Sequence, residues 1–405
     1  MIRLMKESFV PVLLVIAGIF ILVYYSNYIA DMDAEQVTVI EIPVQILQQD
    51  DGLDSSAHAD NDSEEEELDQ ISMMRNHEPE FDSAYALMKS KQWLAAETSY
   101  LKIFQNKDSS QARTDLAYVY YKKKDYEQAL QQFELALDQK PVYLSAYYYR
   151  AKTNIRLKKF AEAEKDYLSY IKYFPQHYYA HYRLGFLYLT QKDFTKAVDL
   201  FSRASTLASG RNKSRALYFL AKSYQRSGKE YKSQAIEAYQ SSIRVSPGET
   251  NPRMGIASLL PDTKEGRLEA EELYDQVLRL KPNESRAYFN LAVIYNKQGR
   301  SQEAQRAYEK AVEFNPSYVI ARYNLGLMLL DKKKWRAAAE QFQAVVNTDP
   351  KNAKAYFNLG RAQYRLKDYE QALSNYQRAL EKRNGDYPEV AINLGLIYSA
   401  KKRFF

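Results

Sequence analysis

The chain has 405 residues, with 57 Lys and Arg against 51 Asp and Glu, no cysteine, four histidines and 36 tyrosines. Without cysteine there is no disulfide framework, thiolate metal site or thiol nucleophile, and four histidines leave little material for acid–base chemistry. The net charge of +6 conceals a polarity: residues 31–80 hold sixteen acidic residues and one basic, whereas residues 81–405 hold 54 basic and 34 acidic.

The first element is an uncharged run from Ser8 to Ala30 containing VLLVIAGIFILVYY. It is long enough to span hydrocarbon as a helix, which takes about 20 residues. A cleavable signal peptide would need a small residue where Tyr28 stands, three before a cut after Ala30. The run is therefore read as one transmembrane anchor over 9–30. Arg3 and Lys6 precede it and Asp31, Asp33 and Glu35 follow, which places residues 1–8 in the cytoplasm and the rest of the chain outside it, in a periplasmic or similar extracytoplasmic space.

Residues 31–76 follow as an acidic flexible linker, including DDGLDSSAHADNDSEEEELDQ, too charged and too poor in aromatics to fold alone. Within it, Gln36 to Leu47 carries β-forming residues interrupted by Pro43, read as an edge strand or an interfacial tether. A coil of ~50 residues spans roughly 40 Å. The acidic stretch is thus either a solvated tether or an internal competitor for a basic surface further along the chain.

From His77 onward one 34-residue pattern repeats nine times, with half of a tenth. Its most regular features are an alanine at position 20 (Ala96, Ala129, Ala163, Ala197, Ala235, Ala270, Ala304, Ala338, Ala372) and an aromatic four residues later (Tyr100, Phe133, Tyr167, Phe201, Tyr239, Tyr274, Tyr308, Phe342, Tyr376). That spacing marks one buried helical face. Proline at position 32 in six copies, for example Pro282, Pro316 and Pro350, stops one helix before the next begins. Each unit reads helix A, turn, helix B, turn, with small residues at position 8 (Gly185, Gly326, Gly360, Gly395) letting the two helices approach.

The copy Ser285–Tyr318 carries Tyr288, Leu291, Ala292, Tyr295, Ala304, Tyr308, Ala311 and Pro316 at positions 4, 7, 8, 11, 20, 24, 27 and 32. This resembles the tetratricopeptide repeat (TPR) family. The resemblance implies an all-α fold, a right-handed superhelical solenoid of about 9.5 repeats, because a single unit cannot bury its apolar face. Repeats 1–5 occupy 77–249, a divergent sixth 250–284, repeats 7–9 residues 285–386, and a half-repeat or capping helix 387–405. The fifth copy has two extra residues around Gly228 to Ser233, which predicts a longer loop. The sixth has Pro261 where an aromatic is usual, which predicts a short or bent first helix.

The resemblance also implies that A helices line a concave groove, with positions 2, 5, 6, 9, 12 and 13 facing it. Two zones follow. In the C-terminal copies position 6 forms an asparagine ladder, Asn290, Asn324, Asn358 and Asn393. Side-chain amides in a row can pair with the peptide groups of an extended chain, as in the similar ladder of O-linked N-acetylglucosamine transferases; asparagine is also the common choice at this position in the family. In the N-terminal copies aromatics alternate with cations: Tyr118, Tyr121, Lys122, Tyr148, Tyr149, Lys152, Arg156, Tyr182, Arg183, Tyr218 and Lys222. Exposed rings of this kind stack on sugars or hold apolar anchors while the cations bind carboxylates; the alternative is that the tyrosines fill gaps between repeats.

The expectations for function are correspondingly plain. The chain reads as a non-enzymatic protein–protein interaction scaffold serving an envelope complex, with no cofactor and no nucleic acid partner. The alternative is a glycan-binding or polysaccharide-export solenoid taking an acidic polysaccharide. His177 and His181 share a helical spacing but lack a third ligand and the glutamate of a zinc protease helix. Gly228 and Lys229 lack the rest of a phosphate-binding loop.

Overall fold

A computed structural model of the protein describes residues 79–383 except Pro141, together with residues 389, 390, 393–395 and 397. The anchor, the linker and the stretch 36–47 lie outside the described residues, as does most of 387–405. Among the described residues no helix is long and apolar enough to cross a membrane.

The described chain is helical throughout and contains no strand. After a 3-10 turn at Pro79–Phe81 come α1 (Asp82–Lys89), α2 (Trp93–Ile103), α3 (Ser110–Lys122), α4 (Tyr126–Asp138), α5 (Ser145–Arg156), α6 (Phe160–Tyr173), α7 (Tyr178–Thr190), α8 (Phe194–Leu207), α9 (Gly210–Ser227) and α10 (Lys232–Val245). Then follow α11 (Asn251–Leu259), α12 (Lys264–Leu280), α13 (Ser285–Lys297), α14 (Ser301–Phe314), α15 (Val319–Asp331), α16 (Trp335–Thr348), α17 (Ala353–Arg365) and α18 (Tyr369–Glu381). Odd helices are the A helices of the repeats and even helices the B helices. Two compact units divide inside α12: one runs from the start of the described chain to Gln276, the other from Val277 onward.

Outside the sixth repeat, each A helix packs on the B helix of its own repeat, and B helices pack on the next A. The alanines at position 20 and the aromatics at position 24 are buried in all nine repeats. At position 8, a Cβ on Gly326 would lie 2.8 Å from the Phe342 ring, and one on Gly360 would lie 2.8 Å from Tyr376 and 3.2 Å from the Ala372 carbonyl. Those helices touch where a methyl group does not fit. Gly185 is slightly looser, 3.2 Å from Leu200, and at Gly395 there is nothing within 4 Å.

The turn between A and B is closed in the same way in seven repeats. The residue at position 15 is left-handed: Lys91, Lys124, Lys158, Lys192, Lys333 and Lys367 have φ of 57–66°, and Gly299 has φ 75°. Its N–H and the next one fold back on the last turn of helix A, as in Lys124 N–H to Tyr121 O at 3.0 Å and Asp125 N–H to Tyr120 O at 2.9 Å. These bonds satisfy carbonyls that the helix end leaves open. Where position 16 is aspartate it caps helix B: Asp125, Asp193 and Asp368 accept from the N–H three residues on, at 3.4, 3.2 and 3.3 Å. A side chain in the left-handed region costs roughly 1 kcal/mol relative to glycine, so six lysines here are not a free choice.

The two irregular copies have local causes. In the fifth, the extra residues form a 3-10 turn at Lys229–Tyr231 after Gly228, whose φ of 148° suits glycine. In the sixth, α11 has only nine residues and stops before Pro261, and a Cβ on Gly266 would meet the Pro261 carbonyl at 2.1 Å.

Candidate functional site

The candidate residues sit on A helices, and their geometry corrects part of the groove assignment. Position 5 is aromatic in seven repeats, and there it packs against the position 24 aromatic of its own B helix, mostly edge-on or tilted. The centroid distances are 6.2 Å for Phe81–Tyr100, 5.6 Å for Tyr148–Tyr167 and Tyr182–Phe201, and 5.7 Å for Tyr218–Tyr239. In the second unit they are 5.9 Å for Phe289–Tyr308, 5.6 Å for Tyr323–Phe342 and 5.8 Å for Phe357–Tyr376. Tyr148 and Tyr182 are buried, at 0% and 4% exposure, and Tyr218 is half-buried. They are therefore not exposed stacking platforms: their rings fill the space between the two helices, because a small residue at position 8 leaves room for them there.

Position 6 reaches the other way, to the repeat before. Two tyrosines at position 24 of that repeat meet a polar partner there: Tyr100 donates to Asp115 at 3.1 Å, and Tyr376 to Asn393 Oδ1 at 3.2 Å. Tyr308 lies against Asn324 in the same relation, but in a looser geometry that leaves its hydroxyl and Asn324 Nδ2 without a full hydrogen bond. Where the earlier residue is phenylalanine, position 6 is a stacked ring or turns elsewhere. Tyr149 stacks on Phe133 at 6.4 Å and Phe219 on Phe201 at 5.6 Å. Asn358, following Phe342, donates to Tyr323 Oη at 3.0 Å and to Lys354 O at 3.1 Å and accepts from Arg361 at 2.9 Å. The ladder is thus in large part a set of clasps between repeats. Asn358 and Asn324 are buried, at 1% and 5% exposure, and Asn393 also donates to Glu389 O at 2.7 Å. Asn290 is half-buried.

Cations lie over aromatic rings in both units, Arg300 over Tyr295 at 4.1 Å and Arg361 over Phe357 at 5.8 Å in the second, but in the first they form a row on successive A helices. Lys152 lies 5.7 Å from the Tyr121 centroid and 5.9 Å from both Tyr148 and Tyr149. Lys122 lies 5.9 Å from Tyr118, Arg183 6.0 Å from Tyr182 and Lys222 5.7 Å from Tyr218. Tyr118 in turn packs on Tyr149 at 5.0 Å and Tyr121 at 6.4 Å. Each such contact is worth about 0.5–1 kcal/mol, and together they fix ammonium and guanidinium groups in positions that free lysines would not hold. Lys152 and Lys222 are buried, Lys122 and Arg183 half-buried, and Arg156 exposed.

The sequence signal for the position 5 column was present: an aromatic recurs there in both units, and a solvent-facing position has no reason to keep one. One buried ion pair had no such signal. Arg150 holds Asp166 through two bonds, at 2.9 and 2.6 Å, and Asn154 adds a third at 3.2 Å. Asp166 is 2% exposed. The trio replaces the apolar contact usual at position 7.

The histidine pair is packing. His177 sits edge-on against Tyr148 and Tyr170, at 5.5 and 5.2 Å, and His181 donates from Nε2 to the Pro175 carbonyl at 2.9 Å. Burial, with Arg203 nearby, holds the His181 imidazole below its ordinary range. Among the described residues no three His, Cys, Asp or Glu side chains gather as a metal site would need.

Stacked antiparallel helix pairs of about 34 residues, with small-residue and aromatic columns between them, define a helical-repeat protein. The tetratricopeptide repeat family matches residues 81–143, 148–212 and 323–388, and a single-repeat form of it matches 285–318; the chain belongs to that family. A curated human relative, protein O-mannosyl-transferase TMTC3, is 27% identical over 248 residues, 58% of this chain. The chain spans only 26% of that relative's length. Among solved structures, MamA from Desulfovibrio magneticus RS-1 is 22% identical, covering 44% of this chain and 99% of its own, with TM-score 0.37. YrrB, described as a TPR protein with an unusual peptide-binding site, is 22% identical over 50% of this chain and 96% of its own, with TM-score 0.36. The C-terminal part of a TPR repeat-containing protein from Cytophaga hutchinsonii is 15% identical over 69% and 99%, with TM-score 0.47.

Proposed function

We propose that the protein is a non-enzymatic scaffold whose first unit binds an acidic, extended segment of a partner polypeptide along α3, α5, α7 and α9. The observation that carries this is the row of lysines and arginines held over tyrosine rings on four successive A helices; in the second unit the equivalent contact within an A helix is Arg361 over Phe357 on α17. Fixed cations on aromatic faces suit carboxylates flanked by apolar groups, and helical repeats present such groups at a regular interval.

The anchored reading completes the proposal. The uncharged run at 9–30 would hold the scaffold at a membrane with its repeats on the extracytoplasmic side, where it positions the components of an envelope complex. The inward packing of Tyr148 and Tyr182 removes the platforms on which a glycan-binding reading depends. Photocrosslinking in cells, with a probe in place of the exposed Arg156, tests the proposal. It predicts capture of a polypeptide at an acidic stretch, reduced by high salt. Capture of no polypeptide, together with retention of the protein on acidic polysaccharide, would replace it with the glycan reading.

A further inference from the structure

The left-handed lysines of the A–B turns form a second basic row, apart from the cations on the A helices. In the first unit, Lys91, Lys124, Lys158 and Lys192 occupy the same turn of four consecutive repeats, so stacking places them along one edge of the unit. All four are exposed, and Lys123 and Lys159 flank them. Lys124, Lys158 and Lys192 make no ion pair among the described residues. Three acids of these turns and helices are engaged elsewhere: Asp125 and Asp193 cap the following helices, and Glu97 pairs with Lys123.

Glycine is the residue that this backbone conformation favours, and Gly299 shows that the fold accepts it. A cation near a helix C-terminus does gain from the helix dipole, yet α3 already carries Lys122 and Lys123 on its last turn and the unstrained stretch just after it. Lys124 adds charge without being needed for that purpose. An aromatic follows each lysine by two residues, but Trp93 and Tyr126 pack on Tyr118 and Tyr121 and Phe194 is half-buried, which leaves Phe160 as the exposed ring and no run of open faces on which bases of a single strand would stack. A row of flexible, strongly hydrated ammonium groups suits instead a laterally mobile array of phosphates.

We infer that the A–B turn edge of the first unit docks on an anionic lipid surface. This rests on the reading of residues 9–30 as a membrane anchor, which would hold the edge within reach of a bilayer. Each lysine near an anionic surface strengthens binding about fivefold, so four acting together hold the edge down firmly at low salt.

Because the chain has no cysteine, a single fluorophore can be placed cleanly. The full chain is reconstituted in neutral phosphatidylcholine vesicles and in vesicles containing phosphatidylglycerol, labelled at Gln191→Cys on the edge or at Leu101→Cys on helix α2 as a control. Access of an aqueous quencher to the edge label is expected to fall about fivefold in the anionic vesicles only. High salt, or joint replacement of the four lysines by glycine, should restore it, and the α2 label should not change. Equal access in both vesicles, with the protein floating with both, overturns the docking edge and leaves the anchor standing. Flotation with anionic vesicles alone, lost in the glycine variant, supports the edge and removes the anchor. Flotation with neither removes both. Protection of the label by duplex DNA and not by anionic lipid overturns the lipid assignment in favour of a nucleic acid.

Discussion

The two units solve the same problem with different chemistry. Each joins repeats in part through position 6, where a phenylalanine at position 24 of the preceding repeat is followed by a ring in the first unit and by Asn358 in the second. In the first unit rings meet rings, as in Phe133–Tyr149 and Phe201–Phe219, and the surplus tyrosines carry cations. In the second unit amides take over, and Asn358 spends three hydrogen bonds inside the molecule. A residue pattern that resembles a peptide-binding ladder can therefore be a device for stacking repeats, while the surface richest in tyrosine holds the charges that a ligand would meet.

Breaking the buried ion pair should separate the units most sharply. Asp166→Ala leaves Arg150 without its buried partner and should cost about 3–4 kcal/mol, seen as an early urea transition with hydrogen exchange accelerated in α5 and α6. Exchange in α15–α18 should be unchanged. In the second unit, Gly360→Ala forces a methyl group into the Tyr376 ring and should cost about 2 kcal/mol by overpacking. Asn358→Ala should cost about 2 kcal/mol, since it removes the bonds to the Tyr323 hydroxyl and the Lys354 carbonyl and the acceptor of Arg361. Asn290→Ala, at the half-buried end of the ladder, should stay within about 0.5 kcal/mol.

The units should also respond to acid at different pH. His181 is held below its ordinary value of 6.5 by burial, so between the two values the unfolded chain binds the proton and the folded one does not. Its contribution is complete above about 6.5 and is lost as pH falls toward the depressed folded value. In the second unit burial pushes the Glu284 carboxyl up, but Lys281 at 2.8 Å and Arg286 at 3.0 Å outweigh it and hold the group below 4.5. Its contribution persists above 4.5 and is lost only as pH falls through that lower value. Acid titration followed by hydrogen exchange should show α7 loosening before α13, and His181→Gln should reduce the difference. The smallest effect is expected at the turns: Lys333→Gly should relieve left-handed strain and stabilise by about 0.5 kcal/mol after the lost dipole interaction, measured as a small rise in Tm.

Much of this was legible in the sequence. The columns at positions 8, 20 and 24 announce themselves by period, and Pro261 foretells the short α11. The site was harder to read because helical phase distinguishes faces only coarsely: position 5 lies at the border between groove and core, and the glycine or alanine at position 8 draws its ring inward. The left-handed turn at position 15 is written as lysine in six repeats, which conceals a conformation that glycine would have advertised. The Arg150–Asp166 pair joins residues sixteen apart on two helices and leaves no periodic trace.

The most direct measurement is hydrogen exchange on the full chain, with and without a saturating peptide of alternating acidic and apolar residues. Protection confined to α3, α5, α7 and α9, abolished by Lys122→Ala with Arg156→Ala, is the result predicted. Protection centred on α13, α15 and α17 and insensitive to those substitutions would contradict the account, because it would return the binding surface to the asparagine ladder.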